Sequence, residues 1–109
     1  MRNLLVLISL VVAAAFVPVE LRAQEFTITI KNHRFTPSEL KVPANKRIQL
    51  TVVNDDPTPE EFESHELNRE KVVIGKGTIP VYVGPLKPGR YPFFGDFHSD
   101  TAQGALIAK

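Results

Sequence analysis

The sequence predicts an all-β protein, a small Greek-key β-sandwich placed behind a cleavable N-terminal signal peptide. Three observations carry this. Two segments alternate apolar and polar residues in strict register. Further short apolar runs recur at intervals of about ten residues, bounded by turn signals, as sandwich strands do. Nine prolines lie scattered along the chain, a density that suits short strands and loops better than helices.

The chain opens "MRNLLVLISLVVAAAFVPVELRAQ", with Arg2 before an apolar run from Leu4 to Val17 and the small residue Ala23 at a suitable cleavage point. The run is shorter than the ~20 residues of a spanning helix, and Pro18 and Glu20 close it. Residues 1–23 therefore read as a signal peptide and residues 24–109 as one exported domain, periplasmic and without a lipid anchor. Losing Arg2, Glu20 and Arg22 takes the thirteen Lys plus Arg and twelve Asp plus Glu of the full chain to eleven each. That balance excludes steering toward nucleic acid or an anionic membrane. A domain of this size buries about 60–65% of the surface its unfolded chain exposes, enough for a single core. The absence of cysteine excludes disulfides, thiolate nucleophiles and thiolate metal sites together.

Taken in order, "EFTITI" sets Phe26, Ile28 and Ile30 against Thr27 and Thr29, and "RIQLTVV" sets Ile48, Leu50 and Val52 against Gln49 and Thr51. Both read as half-buried strands. "EKVVIG", "GTIPVYVG", "RYPFF" and "QGALIAK" supply further strands, with turns at "KGT" and "LKPGR". "TPEEFESHELNRE" is ambiguous. Thr58 as N-cap, Pro59 at the first helical position and Glu61 form a capping pattern. Yet its apolar residues, Phe62 and Leu67, make no helical face, so a short strand from Glu60 to Ser64 is the preferred reading. On a strand Glu61 and Glu63 share one face and Glu60 takes the other; on a helix Glu60 and Glu63 would share a face, with Glu61 near His65.

"FTITIKNHRFTPSELKVPANKRIQLTVVN" and "LKPGRYPFFGDFH...QGAL" together resemble the two halves of a cupredoxin-like domain. The resemblance implies a two-sheet sandwich with a metal at one end, where blue-copper members use Cys, His and Met from the last loop and a second His upstream. Laid on this chain, the Cys position is Gly95, the loop His is His98, the Met position is Ala102 and the upstream His is Glu60. A type 1 blue-copper centre needs a soft thiolate and is therefore not expected. The donors that remain are Glu60, Glu61 and Glu63 from "PEEFES" and Asp96 and His98 from "GDFH". Carboxylates with an imidazole suit an iron or copper ion in a harder state than Cu(I).

The "EEFES" box beside "GRYPFFGDFH" most resembles the cupredoxin-like proteins of bacterial EfeO-type and Ftr-type iron uptake. That implies metal binding in support of an inner-membrane iron permease or another periplasmic uptake component, with a metal-centred ferroxidase role as an extension. A metal-free interaction or assembly module is the alternative. His33, in the loop after the first strand, reads as a polar lid residue; His65 and Asp100 read as peripheral. Phe62, Tyr91 and Phe93 read as core aromatics. No hydrolase constellation or phosphate-binding glycine loop is present.

Overall fold

The computed structural model describes residues 22–109; apart from Arg22 and Ala23, the expected signal peptide lies outside them. Nine strands follow one another: β1 (Gln24–Lys31), β2 (Arg34–Thr36), β3 (Glu39–Val42), β4 (Ile48–Asn54), β5 (Glu60–Ser64), β6 (Arg69–Val73), β7 (Thr78–Val83), β8 (Gly89–Gly95) and β9 (Gln103–Ala108). A single-turn 3-10 helix, Asp96–His98, lies between β8 and β9. The strands form two sheets, ordered β2-β1-β4-β7 and β3-β9-β8-β5-β6. Pairs β1–β4 and β3–β9 run parallel, while the others are antiparallel. Parallel neighbours need crossover connections, so the chain passes repeatedly between the sheets, as the predicted Greek-key sandwich requires.

The alternation read from the sequence becomes the inner faces of the sheets. Ile28 and Ile30 of β1 and Ile48, Leu50 and Val52 of β4 are fully buried, and Phe62, Val73, Val81, Phe93 and Leu106 meet them from the other strands. At the centre, the Phe35 ring stands edge-on to Phe93 at 4.9 Å and to Phe62 at 6.2 Å, and the Phe62 and Phe93 centroids are 5.1 Å apart. Such ring pairs add about 0.5–1.5 kcal/mol each beyond the area they bury. Gly104, directly across from Phe93 in the β8–β9 ladder, makes this possible. A Cβ at that position would lie 2.6 Å from the Phe93 ring and 2.6 Å from the Ser38 carbonyl oxygen.

Residues 60–64 form a strand. Pairing with β6 on one side and β8 on the other occupies their backbone groups, and burial of Phe62 rewards the extended form. These tertiary terms outweigh the helix-capping signal at Thr58 and Pro59. Strand geometry then sends Glu60, Phe62 and Ser64 inward and Glu61 and Glu63 outward.

Strand β6 follows the same rule at the sheet edge. Val73 points inward, and on its side Lys71 donates to the Pro80 carbonyl and Arg69 to the Tyr82 carbonyl, at 2.9 and 2.8 Å. These bonds occupy the open edge of β7 and tie the sheets together. Glu70 and Val72 are left on the outer face beside Glu61 and Glu63.

Phe93→Ala removes two of these three ring contacts and is expected to cost about 3–5 kcal/mol, measured as a fall in the urea unfolding midpoint.

Candidate metal centre

One end of the sandwich gathers a tight turn, the loop that carries buried Asp56 and the 3-10 helix. The turn joins β1 to β2 through Asn32 and His33, with Lys31 paired to Arg34. Both turn residues have positive φ, 52° and 56°. A two-residue turn of this kind prefers Asn first and Gly second, so Asn32 is well placed and His33 occupies a strained position.

Asp56 holds the turn. Its carboxylate is 6% exposed and accepts the backbone N–H groups of Asn32 at 2.8 Å and His33 at 3.0 Å. Its Oδ2 also lies 3.5 Å from His33 Nδ1. Asp56 is oriented in turn by Asn54, whose Oδ1 accepts the Asp56 N–H at 3.0 Å and whose Nδ2 donates to the Thr58 carbonyl at 2.8 Å. Burial pushes the Asp56 carboxyl upward, but the His33 and Asn32 N–H groups, with the positive charges of His33 and Lys76, outweigh it and hold the group below its ordinary value.

Glu60 enters from β5 and is 1% exposed. Its Oε1 accepts the backbone N–H groups of Glu61 at 3.0 Å and Phe97 at 2.9 Å, and its Oε2 lies 2.7 Å from His98 Nδ1. The His98 ring stacks on His33, with centroids 3.5 Å apart and planes 14° from parallel. The Thr101 hydroxyl donates to the His33 carbonyl at 2.6 Å, tying the last loop to the first turn. His33, Glu60 and His98 each place one donor atom within 4.8 Å of the others.

Gly95 explains how Glu60 fits. A Cβ at this position would stand 2.6 Å from Glu60 Cδ, 2.9 Å from Glu60 Oε1 and 2.8 Å from the Ala102 Cβ. Any side chain at 95 would collide with the carboxylate. The glycine at the expected Cys position and the glutamate at the expected upstream His position are thus sterically coupled. A type 1 blue-copper centre does not fit: the chain has no thiolate, and Glu60 fills the space beside Gly95. The donors present are one carboxylate and two imidazoles, which match a harder or borderline ion.

The five residues expected to share one site divide between two places. Glu60 and His98 meet inside the loop end, and His33, which reads from sequence as a lid residue, joins them through its ring. Glu61 and Glu63 lie on the outer face with Glu70, which pairs with Glu63 across the β5–β6 ladder, and these three also place donor atoms within 4.8 Å of one another. Asp96 is exposed and reaches that outer group only through its charge. The Glu61 carboxyl is pushed up to about 7, first by a hydrogen bond with the Glu70 side chain, then by desolvation and by the charges of Glu70, Asp96 and Glu63. His65 is exposed and its ring lies 5.5 Å from Phe94, while Asp100 is exposed beyond the 3-10 helix. Sequence reasoning missed the dipeptide Asn32-His33 between two strands, where a turn favours glycine second, and Glu70 on the next strand, set opposite Glu63 by the β5–β6 register.

Two predictions follow from this geometry. Gly95→Ala is expected to destabilise the fold by about 1–3 kcal/mol through overpacking and to speed hydrogen exchange at the Phe97 amide. Its cost combined with Glu60→Ala should be less than the sum of the two single losses. The second concerns pH. A carboxyl raised in the folded state favours the fold fully below its ordinary value of 4.5, and this contribution is lost as pH rises through about 7. Wild-type urea midpoints should therefore fall across that window, and Glu61→Gln should flatten the fall. Asp56 works in the opposite sense at lower pH, its stabilisation being lost as pH drops below 3.8.

Comparison with known proteins agrees with the fold. The chain is 53% identical over 85 residues to an uncharacterized protein of Rickettsia prowazekii, covering 78% of this chain and 68% of that one. Among solved structures it is similar to auracyanin A, a "blue" copper protein from Chloroflexus aurantiacus, with a TM-score of 0.68 at 13% identity, covering 81% of this chain and 100% of that one. It is also similar to the metal-binding domain, with Cu(I), of the Streptococcus pneumoniae Cu(I)-exporting P-type ATPase CopA, with a TM-score of 0.67 at 14% identity over 80% and 86% of the two chains. A purple cupredoxin from Nitrosopumilus maritimus gives a TM-score of 0.61 at 18% identity over 76% of this chain and 98% of that one. The model of the Cupredoxin-like domain family matches residues 4–108, nearly the whole sequence, and the chain belongs to that family.

Proposed function

We propose that this protein is a periplasmic, signal-peptide-exported metal-binding protein. It takes a first-row transition ion, iron or copper, at the Glu60–His98 end of the sandwich in support of high-affinity iron uptake. The observation that carries this reading is the buried Glu60 carboxylate 2.7 Å from the His98 ring nitrogen, at the family's metal-bearing end. A buried carboxylate is costly unless something charged or hydrogen-bonding faces it; two backbone N–H groups and His98 do so here, and an ion would take the place of the Glu60–His98 contact. An anionic oxygen ligand stabilises the more highly charged, harder ion, so iron bound here would gain in its ferric state. The outer carboxylates Glu61, Glu63 and Glu70, with Asp96 nearby, make the neighbouring surface attractive to cations. The partner in this reading is an inner-membrane iron permease or another periplasmic uptake component.

A second reading rests on the same carboxylate. Its two oxygens are already satisfied by two backbone N–H groups and His98, so the loop end is structurally complete without an ion. That suits a metal-free assembly module docking on a membrane partner.

Titration of residues 24–109 with Fe(II) under anaerobic conditions and with Cu(II) separates the two. One-to-one binding is expected in wild type, weakened by more than about tenfold in Glu60→Gln and in His98→Ala, since even ligand-orienting partners are worth about 10–100-fold. Equal and negligible uptake by all three proteins would leave the assembly module as the reading.

A further inference from the structure

We infer that His33 is the third protein ligand of this site, making it a two-histidine, one-carboxylate centre for a divalent first-row ion, with Fe(II) the best matched. The inference rests on the reading of Glu60 and His98 as ligands and adds to it a residue, a donor set and an ion class.

The first argument is conformational. His33 stands at the second position of a two-residue turn with φ at 56°, where glycine meets the backbone demand without strain. The backbone of the turn requires no imidazole, and the ring's local partner is Asp56 Oδ2 at 3.5 Å. A strained residue kept against that preference, and held by its surroundings on several sides, points to a use for its side chain. Here the support is extensive. Asp56 accepts the His33 N–H and approaches its ring, and the Thr101 hydroxyl donates to its carbonyl at 2.6 Å.

The second argument is placement. This strained turn lays the ring on His98 at 3.5 Å, and one His33 nitrogen falls within 4.8 Å of donor atoms on both Glu60 and His98. Nearly parallel stacked rings cannot both point an in-plane lone pair at one ion between them. His33 must therefore turn out of the stack as the ion enters, and its side chain, 42% exposed, has the solvent-side room to do so. His98, 30% exposed and joined to Glu60, stays as the inner ligand.

The third argument is the donor chemistry. Two neutral imidazoles and one carboxylate bring a single negative charge, which suits a dication and leaves coordination positions open toward solvent. That donor set, with open positions, is the one matched to non-haem Fe(II), and the absence of thiolate and thioether disfavours Cu(I). Asp56 is then a positioning residue, holding the His33 backbone in the conformation that presents the ring.

The test compares wild-type residues 24–109 with His33→Gly. Fe(II) affinity is measured anaerobically, diamagnetic Zn(II) serves as the probe for ring-nitrogen NMR, and thermal unfolding of the metal-free proteins is followed alongside. The expected result is that Zn(II) shifts the ring nitrogens of His33 and His98 but not His65. His33→Gly should unfold at the same or a higher temperature than wild type yet bind both ions at least about tenfold more weakly. Should wild type bind with only the His98 ring shifting, and His33→Gly match its affinity within about twofold, His33 is no ligand while the Glu60–His98 reading stands. Should wild type bind neither ion, both fall. The wild-type ring shifts decide the ligand set even if the variant folds poorly.

Discussion

The loop end of this domain is organised around one buried charge, the carboxylate of Glu60. Its oxygens collect the N–H of its own neighbour Glu61, the N–H of Phe97 in the 3-10 helix and the ring of His98. Two chain segments are thereby fixed to one another: β5 and the 3-10 helix in the loop before β9. A carboxylate this deep costs several kcal/mol if left unpartnered. Gly95 accommodates it by having no side chain. The departures from a blue-copper pattern are connected in space, because once Glu60 occupies that volume no side chain fits at position 95.

A second buried carboxylate, Asp56, repeats the device on the opposite segment. Glu60 meets His98 directly, while Asp56 grips the backbone of the turn that carries His33. The two imidazoles then face each other across 3.5 Å, each beside its own acid. Every buried side-chain nitrogen and oxygen among the described residues has a hydrogen-bond partner. The site is thus a polar cluster at the end of a largely apolar core, and low local polarity strengthens each of its bonds.

The outer face obeys a different balance. Glu61, Glu63 and Glu70 crowd together on that face, and the Glu70 hydrogen bond with the neighbouring like charges holds the Glu61 carboxyl up at about 7. Inner and outer carboxylates are neighbours in sequence, one residue apart along β5, yet they serve separate environments because a strand turns successive side chains to opposite faces.

Much of this was legible in the residues themselves. Alternation in "EFTITI" and "RIQLTVV" sets the buried faces, since a half-buried strand needs a period of two. The strand reading of Glu60 to Ser64 already separated Glu60 from Glu61 and Glu63. The local pattern at Thr58 and Pro59 could not exclude a helix, because the decisive terms, burial of Phe62 and pairing with β6 and β8, are long-range. His98 and Glu60 were readable as candidates one at a time. Their contact, the role of Gly95 as the space for a carboxylate, and the arrival of His33 from the far end of β1 depend on segments distant in sequence. Sequence by itself determined the fold class, the lack of a thiolate and the identities of the donors, because these follow from local periodicity and composition. Tertiary structure alone decided which donors meet, because that is set by strand order and turn geometry, and neither is encoded within any single segment.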